Sequence, residues 1–120
     1  MPLYASGHYG PTACIPGDTM VLFDGIETPG ADVKSRALSR GTGPTLVPAG
    51  IVFTIDYDSA PTAVVLIQGA NEDTDAKYQT LYTSTSLQHD FYADQGNFAF
   101  YRAVLSTYSA GGMPQVVAQR

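Results

Sequence analysis

Tryptophan is absent from this chain, cysteine occurs once, and charged residues make up only 14% of the sequence. The single cysteine, Cys14, excludes an intrachain disulfide and any cysteine-based metal site. Standing between prolines, it reads as an inert small hydrophobe rather than a nucleophile. Basic residues are scarce as well, six Lys and Arg against eleven Asp and Glu, for a formal net charge of -5. A general nucleic-acid surface needs clustered cations to neutralise phosphates, so that function class is excluded. No apolar run approaches the roughly 20 residues that span a bilayer. The opening residues lack a basic n-region and an apolar core, so no secretory signal is expected and the chain is assigned to a reducing cytoplasm.

Catalytic signatures are missing too. There is no Gly-x-Ser-x-Gly elbow and no His-Glu-x-x-His helix. The two histidines, His8 and His89, fall in a Pro/Gly-rich stretch and near a turn. Asp56 and Asp58 share a strand face, but nothing raises them to a glycosidase pair. No catalytic residue, cofactor or metal ligand is therefore assigned. Asn71, Glu72, Asp73 and Asp75 crowd one loop with oxygen donors for calcium, yet their spacing departs from the calcium-loop pattern, and a solvated acidic turn is the commoner outcome.

What the chain does contain is β-sequence. Its 120 residues suit one domain with one core. Residues 1–18 carry Pro2, Gly7, Gly10, Pro11, Pro16 and Gly17 together with Leu3, Tyr4, Tyr9 and Ile15, which predicts an extended arm that seeks burial on a neighbour; the alternative is a loosely ordered tail. Residues 19–120 are assigned to the sandwich. Thr19 to Asp24 is a short apolar strand closed by Asp24 and Gly25. Asp32 to Leu38 is read as a polar edge strand, and Arg40 to Pro48 as a connecting loop. Gly50 to Asp58 alternates with period two, placing Ile51, Phe53, Ile55 and Tyr57 on one face. Thr62 to Gln68 is apolar on both faces, the mark of a central strand covered on each side, and forms a hairpin with Tyr78 to Ser84. Further strands are expected at Leu87 to Tyr92, Phe98 to Thr107 and Pro114 to Ala118. Seven or eight short strands without a helix of ten residues predict an all-β sandwich of jelly-roll type.

Two sets of residues suggest contact with other molecules. Lys34, Arg36 and Arg40 lie close together, as a docking patch for an acidic surface or as a solvated strand face. Eight tyrosines and five phenylalanines exceed what one small core needs, and tyrosine favours interfaces because it buries area while its hydroxyl stays wet. Tyr4, Tyr9, Tyr57, Tyr92 and Tyr108 are the interface candidates; the alternative is that several cap the ends of the sandwich.

The run Val64 to Asn71, Tyr78 to Leu81, the Phe100 to Leu105 strand with Tyr101 and Arg102, and the Gly111–Gly112 turn before a last strand together resemble small β-sandwich proteins of tailed-phage structural modules. In that pattern a hydrophobic strand ends in Gly-Ser-Asn-Asp-Gly, an aromatic residue follows, and a later Tyr-Arg strand leads to Gly-rich turns. Gln68 to Asn71, Tyr78 and Tyr101–Arg102 supply the matches, over roughly residues 50 to 118. The chain departs from the pattern in its longer Glu72 to Lys77 loop, which lacks the turn glycine, and in Tyr78 where tryptophan is usual. The resemblance implies a non-enzymatic virion protein. Its expected role is capsid decoration: binding the major capsid protein on the outer shell, as a homo-oligomer and most plainly a trimer, with no nucleic acid or membrane partner. A tail or fibre-associated component and a carbohydrate-binding module are the alternatives.

Overall fold

The computed structural model describes residues 12–14, 17–25, 32–40 and 50–120. Among the described residues ten strands form two packed sheets: β1 (Thr12–Ala13), β2 (Thr19–Asp24), β3 (Val33–Lys34), β4 (Leu38–Ser39), β5 (Ile51–Tyr57), β6 (Thr62–Ala70), β7 (Gln79–Thr85), β8 (His89–Asp94), β9 (Phe100–Ala110) and β10 (Pro114–Gln119). The larger sheet runs β1-β4-β9-β6-β7, with β3 also on β9; the smaller runs β2-β10-β5-β8. The protein is an all-β sandwich, and among the described residues no helix is long and apolar enough to cross a membrane.

The pairing has a simple logic. Strand β2 pairs with β10, β3 and β4 with β9, β5 with β8, and β6 with β7, all antiparallel. The chain is therefore one long hairpin whose tip lies at residues 71–78, rolled so that successive pairs alternate between the two sheets. That is the wrapping of a jelly roll.

The core follows from period-two patterning. Ile51, Phe53, Ile55 and Tyr57 of β5 all face inward, opposite Ala63, Val65 and Ile67 of β6 and Tyr101, Ala103 and Leu105 of β9. From the smaller sheet Leu22, Phe23, Val116 and Ala118 fill the space between. A register shift between Val116 and Val117 lets both Leu22 and Phe23 of β2 be buried in succession.

Several expectations shift. Strand β6 is central, between β9 and β7, but only its inner face is sealed; Val64 and Leu66 on the other side are half-buried. The Asp32 to Leu38 strand is split into β3 and β4: the Ser35 amide still donates to the Ala103 carbonyl, but the Ala103 amide is taken by the Ser35 hydroxyl instead of its carbonyl, which interrupts the ladder there. The arm expected over residues 1–18 is not wholly outside the sandwich. Thr12–Ala13 adds a parallel edge to β4, and Cys14 is fully buried in the core. Residues 1–11, and the connecting loop expected at Arg40 to Pro48 beyond Arg40 itself, lie outside the described residues.

Candidate interaction surface

The outward face of the smaller sheet is built in rows, because strands in register place residues side by side across the sheet. One row is Asp24, Gln115, Asp56 and His89, from β2, β10, β5 and β8 in turn. Gln115 donates to Asp24 at 3.4 Å, and the His89 ring nitrogen Nδ1 lies 2.8 Å from Asp56. The next row is Val21, Val117, Thr54 and Phe91, and the third includes Gln119, Val52 and Ala93. Toward the β8 edge of this face apolar groups are open: Phe91 on edge strand β8 is 68% exposed and Val52 on the neighbouring β5 42%. At one end Asp24, Asp56 and Asp58 line a depression of about 390 Å³ with Gln115 and Met113.

Asp90 and Asp94, the other two carboxylates of the smaller sheet's strands, are engaged in holding the sandwich together. Tyr82 of β7 and Tyr92 of β8 stack at 5.1 Å across the gap between the sheets, and Tyr92 stacks in turn on Phe53 at 6.2 Å. The Tyr82 hydroxyl donates to Asp90, and those of Tyr92 and Tyr101 to Asp94, each at 2.6 Å. Burial works to raise the Asp94 carboxyl. The Tyr101 and Tyr92 hydroxyls with the Gly96 and Asn97 amides outweigh it and hold the group below the usual carboxylate range. In return, burial and the Asp94 contact push the Tyr92 hydroxyl up to about 12. Neutral phenols facing carboxylates lock two sheets; they offer neither a nucleophile nor a proton near neutral pH.

At the hairpin tip the four oxygen donors of the acidic loop turn to separate partners. Asn71 accepts from the Ala99 amide, Glu72 from Thr74, Asp73 from Tyr78, and Asp75 from Arg102. They do not converge on a calcium site, and among the described residues no group of three or more His, Cys, Asp and Glu is gathered to hold a metal. Arg102 is the hub. Only 7% exposed, it donates to Gln68 at 2.9 Å and to Asp75 at 2.6 Å, and its guanidinium sits 3.9 Å over the Tyr78 ring. The hydrogen bond from Arg102, with the nearby Lys34 charge, holds the Asp75 carboxyl below its usual range. Burial, with the hydrogen bond to Asp73, raises the Tyr78 hydroxyl.

The chain matches no protein-family model, no curated protein and no solved structure.

The interface candidates from sequence scatter. Tyr4 and Tyr9 lie outside the described residues. Lys34 reaches Asp75 at 3.8 Å, Arg36 is half-buried, and Arg40 is buried with its Nε donating to the Phe98 carbonyl. These three do not form one open basic patch, because the β3–β4 segment turns Arg40 inward against the start of β9. Tyr57 is 3% exposed and belongs to the core, so it offers no surface to a partner. Burial pushes its hydroxyl up to about 12. Tyr92 sits in the inter-sheet stack, and Tyr108 is half-buried with its hydroxyl on the Gly111 carbonyl. Phe91 and Val52 were not among the candidates, although they are the large apolar side chains open on this face. Strand β8 alternates His89, Phe91 and Ala93 with Asp90, Tyr92 and Asp94, and the set bearing both carboxylates is the one that turns toward Tyr82 and Tyr101. A hydropathy pattern points the other way, so only the partner tyrosines reveal the true orientation.

Proposed function

We propose that this chain is a capsid decoration protein of a tailed phage, a non-enzymatic sandwich that binds the outer shell between major capsid subunits and stabilises the head. The observation that carries this reading is the open outer face of the smaller sheet, with Phe91 and Val52 exposed together along its β5–β8 side. Adjoining exposed apolar side chains, rimmed by polar residues, mark a surface suited to being covered. The resemblance of residues 50 to 118 to phage structural sandwiches supplies the kind of partner. Jelly rolls recur in viral shells and in lectins, which is an analogy of fold and agrees with both readings.

The mechanism is physical. Apolar area removed from water contributes roughly 25 cal/mol per Å², so one modest contact is weak. Copies joined as a trimer would engage several shell subunits at once, and the second and third contacts then form at high effective concentration. Quantitative mass spectrometry of purified particles tests the reading. A copy ratio to the major shell protein near one is expected, a ratio far below one moves the chain to the tail or fibre, and absence from particles overturns a virion role.

One observation favours a second reading, a carbohydrate-binding module. Phe91 lies open beside the Asp56–His89 pair, an apolar platform next to polar groups. A glycan array with hits abolished by Phe91→Ser would establish it in place of decoration.

A further inference from the structure

The two sheets divide the charge between them unequally. The strands of the smaller sheet carry four aspartates, Asp24, Asp56, Asp90 and Asp94, and neither lysine nor arginine. The chain's basic residues lie elsewhere: Lys34, Arg36, Arg40, Lys77 and Arg102 on the larger sheet and its loops, and Arg120 after β10, donating to the Cys14 carbonyl. Asp90 and Asp94 face inward and are held by tyrosine hydroxyls. Asp24 and Asp56 face outward in the row next to Phe91, and Asp58 joins them at the depression. Among the described residues the His89 ring beside Asp56 is the one basic side chain on that face. The open apolar pair Phe91 and Val52 is thus bordered along one side by carboxylates that no lysine or arginine of this chain approaches among the described contacts.

We propose that this face docks on a protein surface that is apolar opposite Phe91 and Val52 and basic along the adjoining rim, with lysine or arginine side chains of the partner opposite Asp24, Asp56 and Asp58. The inference rests on the decoration reading for the identity of the partner and adds its chemistry and the orientation of docking. The smaller sheet faces the partner, and the larger sheet, with Arg102 and Lys34 already satisfied by Asp75, faces away. A carboxylate rim of this kind steers and orients the encounter, and its attraction is screened by salt, whereas the Phe91 contact is not. A second copy of the same face is disfavoured as occupant, because it would set the same carboxylates against each other.

The test uses purified phage shells lacking this chain, with binding of the full chain measured across a salt series. Wild type is expected to bind, and its affinity to fall as salt rises from about 50 to 500 mM, because the Debye length shortens about threefold. Phe91→Ser should weaken binding at least tenfold at all salt concentrations. The double variant Asp24→Asn/Asp56→Asn should weaken it at low salt and flatten the salt dependence. All these sites are on the surface, and unchanged circular dichroism and urea midpoint verify the fold. Thr83→Ala, on the outer face of the larger sheet, should bind as wild type. Wild-type binding that is unaffected by either set of changes, or weakened instead by Thr83→Ala, would overturn the proposed face while the decoration reading stands. Binding lost in Phe91→Ser with no response to salt or to the asparagine pair would overturn the basic rim. No binding by wild type would overturn the decoration reading and this inference with it.

Discussion

Two tyrosines of similar burial should answer the same substitution in opposite ways. The Tyr101 hydroxyl donates to Asp94 at 2.6 Å and accepts from the Phe98 amide at 3.1 Å. Tyr101→Phe leaves both partners short, and a lost hydrogen bond to a charged group costs about 1.5–3 kcal/mol. The Tyr57 hydroxyl is buried without a hydrogen-bond partner among the described residues. Tyr57→Phe should therefore be neutral or stabilising, since no hydrogen bond is lost. Urea midpoints of the two variants test the contrast; equal losses would contradict it. The pH dependence follows from the same groups. The Asp94 carboxyl lies below its ordinary value near 4, so its contribution is present above about pH 4 and is lost as pH falls through the depressed value. The Tyr57 and Tyr92 hydroxyls are raised to about 12, so stability is unaffected by their ionisation below about pH 10 and falls as pH rises through 12. Absorbance titration should show these tyrosines ionising together with alkaline unfolding rather than before it.

At the scale of elements, the hairpin tip and the last turn are held by different means. Arg102 ties residues 71–78 to β6 and β9 through Gln68, Asp75 and Tyr78. Arg102→Ala should raise hydrogen exchange across residues 71–78 well above that of the inner strands, because the loop loses its anchor while the core is untouched. Exchange unchanged in that loop would show that the β6–β7 ladder alone holds it. The Gly111 turn is held by space. Gly111 has a φ of 94°, and a side chain there would run into the Ala60 carbonyl, so Gly111→Ala combines a strained backbone with a clash. A cost above about 1–3 kcal/mol is expected in the urea midpoint. Gly69 is similar in kind, since a Cβ would come within 2.8 Å of the Phe98 ring.

At the scale of the molecule, the closing strand is not an edge. Strand β10 lies between β2 and β5, pairing with both, although it is the last strand of the chain. A chain ending at Gly112 would leave the smaller sheet without its centre and should lack native near-ultraviolet dichroism. Nested pairing of β2 with β10 also closes the largest loop of the fold, which places folding in the range of about milliseconds to seconds by stopped flow. A microsecond phase accounting for the whole signal would be at odds with this topology.

Much of the fold was legible in advance because strand patterning is local. The alternation of Ile51, Phe53, Ile55 and Tyr57, the apolar run from Thr62 and the glycines at 111 and 112 each determine a strand, a buried face or a turn through neighbouring residues alone. The hairpin of β6 with β7 was legible for the same reason. The exposed face was not. Whether Phe91 or Tyr92 turns outward depends on Tyr82 and Tyr101, which stand on other strands, and whether Arg40 is a docking cation or an internal donor depends on the Phe98 carbonyl far along the chain. Side chains that carry both apolar area and a polar tip have no fixed preference for inside or outside; the partner for the polar tip decides, and only tertiary structure supplies that partner.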